Sequence, residues 1–433
     1  MIKNNDTKLT MPKFEKYQQS VRFLESLSNL PILDYMRSQR RSSFYLKRTA
    51  TLVRKLNINL TQFKFIHIAG TSGKGSTVSM VHQSLLAAGK KVGSFYSPHP
   101  TTSVERIKVG KKYIQYNAFA KLLDKIKPIM DQVALDDRLG GAPSYFEIFF
   151  AIALLYFEEK KCEYVILEVG CGGAFDATNI IPRPLVTAIT NIGLDHTEIL
   201  GATLAAIAKT KSGIIKSGSV FMTTEKRLAI TSIFKKICSQ RQAVFVSLPI
   251  KTTDTHAANS LLAAEISRYL GIDKKHIKIG IKNSPLPCRF EIMQKNPTVV
   301  LDGAHNSDKM KSTVGKLKKL NFGRLFLIIT LNKNKDARKI ITYLNKQLPR
   351  QTNVYITRHL IAERTCQNTK LMYNLFKNSK NIKKRIYIDP WQALNSAIKE
   401  ATKDDLILVT GSFFLAGELR KKWITEKKIL QLC

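Results

Sequence analysis

The chain has 433 residues, 44% of them hydrophobic, and carries 70 Lys and Arg against 32 Asp and Glu, a formal net charge of +38. That length exceeds one ordinary core and points to two domains, with a composition suited to burying both. No uninterrupted apolar run approaches the ~18–20 residues of a membrane span, and the start, Met1-Ile-Lys-Asn-Asn-Asp-Thr-Lys8, lacks the apolar stretch of a signal peptide.

The first 60 residues read as helical, broken by an irregular basic stretch from Ser38 to Phe44. A short apolar run, Phe65 to Ala69, then feeds a turn carrying Gly70, Gly73 and Gly75 together with Lys74 and Ser76. A helical pattern follows from Thr77 to Ala88 and stops at Gly89. A strand ending in such a turn aims backbone N–H groups at one spot beside the positive end of the next helix. That spot suits a polyphosphate, Lys74 its outer phosphates and the Ser76 hydroxyl a magnesium ion. The segment Gly70-Thr-Ser-Gly-Lys-Gly-Ser-Thr77 therefore predicts a nucleotide site.

Strands and helices alternate beyond it, the pattern of a parallel sheet covered by helices. The predicted strands are Lys91–Tyr96, Tyr164–Val169, Val186–Ile192 and Ser219–Met222, and the predicted helices Tyr145–Lys160 and Leu204–Lys211. A helix–strand–helix unit spans Lys226 to Tyr269. Residues 282–288, Lys-Asn-Ser-Pro-Leu-Pro-Cys, have no periodicity and read as a hinge. A second alternation follows, with strands at Val299–Leu301, Phe326–Ile329, Val354–Thr357, Ile386–Ile388 and Leu406–Val409. The expected architecture is α/β: a large nucleotide-binding domain with a mainly parallel sheet over residues 1–286, and a smaller doubly wound, Rossmann-like domain over residues 287–433.

Ligands of open parallel sheets bind beyond the carboxyl ends of the strands, and several predicted strand ends are polar. One ends in Ser97 and His99; Glu168 lies within the run Val-Ile-Leu-Glu-Val-Gly, where a carboxylate near a phosphate loop would hold magnesium; another delivers Asp195 and His196. In the second domain, Val-Leu-Asp-Gly-Ala-His-Asn places Asp302, His305 and Asn306 at a strand-to-helix turn. Each residue alone has a plainer reading: a structural histidine, Glu168 paired to a lysine, Asp302 capping a helix at Ser307. Several such ends beside one glycine loop favour a magnesium–nucleotide site, since each buried acid needs a partner. Lys211 reads as a solvated lysine or a cation at a helix C-terminus.

Cys162, Cys171, Cys238, Cys288, Cys366 and Cys433 are scattered with no Cys-x-x-Cys pair, which reads as reduced thiols in a cytoplasm. The basic residues are likewise dispersed, with no basic tail and no interleaved aromatic platform, so no specific nucleic-acid partner is expected.

The motifs taken together resemble folylpolyglutamate synthase and the related bifunctional dihydrofolate synthase, of the ATP-dependent muramyl ligase superfamily. The resemblance is collinear from about Val21 to Arg420. It rests on His67-Ile-Ala-Gly-Thr-Ser-Gly-Lys-Gly-Ser-Thr77, Ser97-Pro-His99 with Glu105-Arg-Ile107, and Leu167-Glu-Val-Gly-Cys-Gly-Gly173 with Asp176-Ala-Thr-Asn179. It rests also on Gly193-Leu-Asp-His-Thr-Glu-Ile-Leu-Gly201, Lys211-Ser-Gly-Ile-Ile-Lys216, Arg289-Phe-Glu291, Leu301-Asp-Gly-Ala-His-Asn306 and Val409-Thr-Gly-Ser-Phe-Phe-Leu-Ala-Gly-Glu418.

The resemblance implies an ATP-dependent amide ligase that adds L-glutamate to a folate, or to dihydropteroate, through an acyl phosphate. It implies ATP and two magnesium ions, a phosphate cradle at Gly70 to Thr77, and metal ligands Ser97, Glu168 and His196. It further implies ATP contacts from Asn259, Arg289 and Asp302, His305 near the incoming amino acid or phosphate, and a carbamylated Lys211 facing the second metal. Ser144, Tyr145, Phe146 and Glu147, with Phe175, Asp176 and Ala177, match the segments lining the pterin site. It leans to a monomer, with no membrane partner. Ser72, Ala174 and Thr210 depart from the family pattern, which has Asn, Arg and Glu there. A muramyl or cyanophycin-type ligase, and a nucleotide-binding protein associated with nucleic acid, stand as alternatives; Asp176 to Asn179 and Gly193 to Thr197 favour the folate branch.

Overall fold

The computed structural model describes residues 11–27, 39–250, 252, 254–349, 351–361, 365–376 and 382–433. They form two compact units, the first made of Met1–His99, Ser103–Ser284 and Lys427–Cys433, the second of Pro100–Thr102 and Pro285–Glu426.

The first unit is built on eight strands: β1 (Lys64–Ala69), β2 (Val92–Phe95), β3 (Ile107–Val109), β4 (Lys112–Tyr113), β5 (Tyr164–Glu168), β6 (Val186–Ile189), β7 (Val220–Thr223) and β8 (Val244–Ser247). Their order in the sheet is β4-β3-β2-β5-β1-β6-β7-β8. From β2 to β8 every pair is parallel, while β3 and β4 add an antiparallel edge. The order sets the ends of β2, β5, β1 and β6 side by side, and β1 lies between strands that follow it in sequence on opposite sides. Such a reversal of winding direction opens a crevice at the carboxyl ends. The covering helix Tyr145–Glu159 is apolar round most of its circumference, and Ile148 to Phe157 are all buried. A helix of that kind belongs inside a layered domain.

The second unit carries β9 (Arg289–Lys295), β10 (Thr298–Asp302), β11 (Leu325–Ile329), β12 (Thr352–Ile356), β13 (Ile382–Ile386) and β14 (Leu406–Thr410), ordered β13-β12-β11-β14-β10-β9. All neighbours are parallel except β9, which runs antiparallel to β10. Alternate residues feed opposite faces: Val300, Leu325, Leu327, Ile329, Leu406 and Leu408 fill one core, and Val299, Leu301, Phe326, Ile328, Ile407 and Val409 the other. Near-continuous apolar strands read this way because a parallel sheet is covered on both sides.

Several elements differ from the sequence reading, these three among them. Gln39–Lys55 is a helix, so the stretch read as irregular is helical from Gln39 on, while Ser38 lies outside the described residues. The helix after the glycine turn starts at Lys74 rather than Thr77, because the turn itself supplies its first residues. The edge strand beside β12 runs through Ile382–Ile386, not Ile386–Ile388: the reading followed the apolar triplet, whereas pairing to β12 uses Ile382 to Ile386, with three basic residues at its centre. Among the described residues no helix is long and apolar enough to cross a membrane.

Candidate functional site

The helix Lys74–Ala87 begins with Gly73 at φ 86° and no side-chain cap, so its first-turn N–H groups are left for something else. Only a residue tolerant of the left-handed region fits at Gly73, and a Cβ there would stand 2.3 Å from Asn259 Oδ1. Asn259 thus lies against the loop, on the helix Thr255–Tyr269. A Cβ at Gly70, with φ 142°, would meet the Thr190 hydroxyl at 1.9 Å.

The loop is held from β6 by two residues that the sequence reading passed over. The Asn191 side chain accepts the Ser72 N–H at 2.8 Å and its carbonyl accepts the Thr71 N–H at 3.0 Å. The Thr190 hydroxyl donates to the Ser72 carbonyl at 2.6 Å. Both escaped notice because the apolar run Val186 to Ile192 reads as one strand, whereas β6 stops at Ile189 and frees Thr190 and Asn191 to turn. The Gly193 N–H donates to Thr71 Oγ1 at 2.9 Å, tying the segment that leads to His196 to the same loop.

Two ammonium groups converge on one carbonyl: Lys74 Nζ and Lys211 Nζ each donate to the Gly70 oxygen at 3.1 Å. Lys211 is buried, and burial first, then the Lys74 charge, pull its amine down to about 8. It is held there by close backbone packing, since a Cβ at Gly173 would lie 2.7 Å from the Lys211 carbonyl. The reading of Lys211 as a solvated lysine is therefore overturned by its burial. Two cations beside an uncapped helix start form an anion site with a charge deficit. Ser72 Oγ, buried without a hydrogen-bond partner among the described residues, is the polar group that a phosphate oxygen would satisfy. The residues present fit a polyphosphate.

Glu168 stands at the end of β5, its Oε2 accepting the Ser97 N–H at 3.1 Å and lying 3.1 Å from where a Cβ at Gly75 would be. Ser97, Glu168 and the glycine loop are thus one cluster. His196 is half-buried at φ 52°, opening the short helix Thr197–Leu200. Among the described residues, no group of three or more His, Cys, Asp or Glu is assembled that could hold a metal ion. A carboxylate and a neighbouring serine beside the glycine loop fit magnesium, which keeps waters and phosphate oxygens in its shell.

The segments matched to the pterin site are largely engaged within the protein. Ser144 and Glu147 form a capping box at the start of the helix Tyr145–Glu159. The fully buried Glu147 carboxylate also takes Arg48 Nη2 at 2.7 Å and the Thr49 hydroxyl at 2.8 Å. Asp176 accepts the Cys171 N–H at 2.9 Å and the Thr178 hydroxyl at 2.5 Å, and Ala177 is wholly in the core. Tyr145, Phe146 and Phe175 are half-buried and retain accessible surface.

In the second unit, Arg289 pairs with Asp302 across β9 and β10, and its guanidinium lies 4.6 Å from the centre of the Phe413 ring. Asp302 Oδ1 accepts the Ala304 N–H at 2.9 Å and the Thr313 hydroxyl at 2.7 Å. It does not cap the helix Ser307–Leu317; Asn306 does, through the Lys309 N–H. His305 Nδ1 lies 2.8 Å from the Gly303 carbonyl, and Nε2 lies 3.0 Å from Lys309 Nζ. A carbonyl on one side and an ammonium on the other make Nδ1 the donor and Nε2 the acceptor. Lys309 was invisible as a site residue because it follows His305 by one helical turn in a surface-like sequence.

The Mur ligase middle domain matches residues 146–293, and the Mur ligase glutamate ligase domain residues 288–413. The dihydrofolate synthase/folylpolyglutamate synthase of Bacillus subtilis is 31% identical over 418 residues, spanning 87% of this chain and 94% of that protein. The chain belongs to that family. Family members of known structure share the fold. E. coli FolC in complex with DHPP and ADP superposes with a TM-score of 0.77 at 25% identity, over 93% of this chain and 97% of that one. The folylpolyglutamate synthase of Thermotoga maritima gives 0.77 at 27% identity, over 97% and 100%. The family's α/β architecture, a large mainly parallel sheet and a second sheet of six strands, is that of the chain described above.

Proposed function

We propose that this chain is an ATP-dependent ligase that joins the amine of L-glutamate to a carboxylate of a folate or of dihydropteroate. The observation that carries the reading is the convergence of Lys74, Lys211 and an uncapped helix start on one spot, in a chain collinear with ligases of that name. The acceptor carboxylate would attack the γ-phosphate, giving an acyl phosphate and ADP, and the glutamate amine would then displace phosphate. The loop N–H groups and Lys74 would orient the triphosphate and neutralise charge that develops on it. Bound magnesium would neutralise phosphate charge, and Ser97, Glu168 and His196 are the residues to hold it. Asn259 would border the nucleotide from beside Gly73.

Incubation with ATP, glutamate and each acceptor in turn, followed by mass spectrometry, tests the reading. One glutamate added to dihydropteroate or tetrahydrofolate is expected; addition to a peptidoglycan precursor alone would overturn it. Glu168→Gln and His196→Ala are expected to raise the magnesium concentration for half-maximal rate by at least about tenfold, the loss typical even for groups one shell further from a metal. An unchanged magnesium dependence in both would return them to purely structural roles.

Lys211 as a carbamate follows the same logic. Two ammonium groups sharing the Gly70 carbonyl repel, and a carbamate in place of one would turn repulsion into attraction. Carbon-13 bicarbonate, followed by NMR of the protein and of Lys211→Ala, decides it: a carbamate signal present in the first and lost in the second is expected. Among the described residues no disulfide joins the six cysteines, which supports a reducing compartment such as the cytoplasm.

A further inference from the structure

Arg106 closes the turn Ser103–Arg106 just before β3, and its carbonyl accepts the Tyr96 N–H at 2.8 Å, which fixes it beside the strand end that carries Ser97. Its side chain is 94% buried, at 6% relative exposure. The guanidinium stands 4.8 Å from the centre of the Phe149 ring and 5.3 Å from that of Tyr145. Its Nε donates to His99 Nδ1 at 3.0 Å, which leaves the His99 proton on Nε2. Nη1 is buried and has no hydrogen-bond partner, and Arg106 forms no ion pair among the described residues.

A buried guanidinium compensated by two ring faces and one neutral imidazole is short of an anion. Ring faces attract a desolvated guanidinium, but less than burying an unpaired charge costs. The phosphates have their own cation, Lys74, at the Gly70 carbonyl. The surroundings of Arg106 are different in kind. Tyr145 and Phe146 are half-buried aromatics, and Phe146 packs on Phe95 with ring centres 5.6 Å apart. Such rings accept a flat aryl body, and the planar fork of a guanidinium matches a carboxylate.

We infer that Arg106 holds a carboxylate of the aryl acceptor through its unpartnered Nη1, with the aryl portion lying against Tyr145 and Phe146. The inference rests on the ligase reading given above. Two carboxylates could occupy the position, the one that reacts or the one left free on a glutamate tail. Dihydropteroate has only the reacting group, so comparing acceptors separates the two.

The test uses the full chain and its Arg106→Gln and Arg106→Lys variants, with KM measured for ATP, dihydropteroate and tetrahydrofolate. A hydrogen bond to a charged group contributes about 1.5–3 kcal/mol, so Arg106→Gln is expected to raise the acceptor KM about 10- to 100-fold. The ATP KM is expected to stay within about twofold, and Arg106→Lys, which keeps the charge and loses the fork, to fall between. A rise with both acceptors assigns the reacting carboxylate; a rise with tetrahydrofolate alone assigns the tail. ADP binding and thermal melting of each variant report folding independently. An acceptor KM unchanged for both substrates overturns the inference, as does a rise that ATP shares in proportion alongside a lowered melting temperature, which marks Arg106 as structural. If the parent protein ligates no glutamate, dihydropteroate binding in the presence of ADP is measured directly by calorimetry, and Arg106→Gln must weaken it. The ligase reading then fails while the carboxylate site is still judged.

Discussion

Replacing Lys74 with alanine is expected to lower turnover by at least a factor of about 10²–10³, the usual loss when one preorganised charge facing a transition state is removed. Within the protein the Lys74 ammonium meets the Gly70 carbonyl at 3.1 Å, a hydrogen bond of a half-buried side chain that Lys211 duplicates. Its loss should therefore leave the melting temperature nearly unchanged. The helix start argues the same way, because a cation in the first turn opposes the helix dipole and is tolerated where an anion compensates it. ADP binding should weaken less than turnover, since the loop N–H groups persist, whereas charge stabilisation at the γ-phosphate is lost. Lys74→Arg should not restore the rate, because a planar fork does not replace a compact ammonium in a loop this close. The measurement is steady-state kinetics with nucleotide binding on the same samples. Turnover within about tenfold of the parent would remove Lys74 from the phosphate site.

The largest expected effect on stability belongs to Arg48 and Glu147. The Glu147 carboxylate is fully buried and accepts Arg48 Nη2 at 2.7 Å, Arg48 Nε at 3.0 Å, the Thr49 hydroxyl at 2.8 Å and the Ser144 N–H at 2.8 Å. Arg48→Met keeps the volume but leaves that carboxylate without its cation, which costs about 3–5 kcal/mol. Replacing both residues, Arg48→Met with Glu147→Gln, should recover part of the loss because no buried charge remains. Both tryptophans, Trp391 and Trp423, lie in the second unit, whereas this pair lies in the first. Urea unfolding followed by far-UV circular dichroism should therefore show the shift, and tryptophan fluorescence should report the second unit instead. A change below about 1 kcal/mol in the single variant would mean that the pair is worth no more than an exposed one.

The glycine turn and its flanking elements were legible from residues 65–88 alone because every signal there is local: an apolar run, a cluster of glycines, then helical periodicity. The helix Leu204–Lys211 was read to the residue for the same reason, with Thr203 capping it through the Ala206 N–H. The central parallel strands of both units announced themselves as short apolar runs, since sheets covered on both faces need them. β9 did not, because Arg-Phe-Glu-Ile-Met-Gln-Lys alternates weakly and pairs at the antiparallel edge of its sheet.

What tertiary structure alone decided is which polar residues meet. Glu147 reads as a site residue by position, yet it is sealed by Arg48, 99 residues away. Asn191 and Thr190 shape a loop lying 119 and 118 residues before them. Lys211 reaches the Gly70 carbonyl across a separation of 141 residues. Periodicity and turn chemistry act over a few residues, so the sequence by itself determined most of the elements and the glycine turn. Pairings across such separations follow from strand order and burial, because a buried charge or N–H is stable only beside whichever partner packing brings to it.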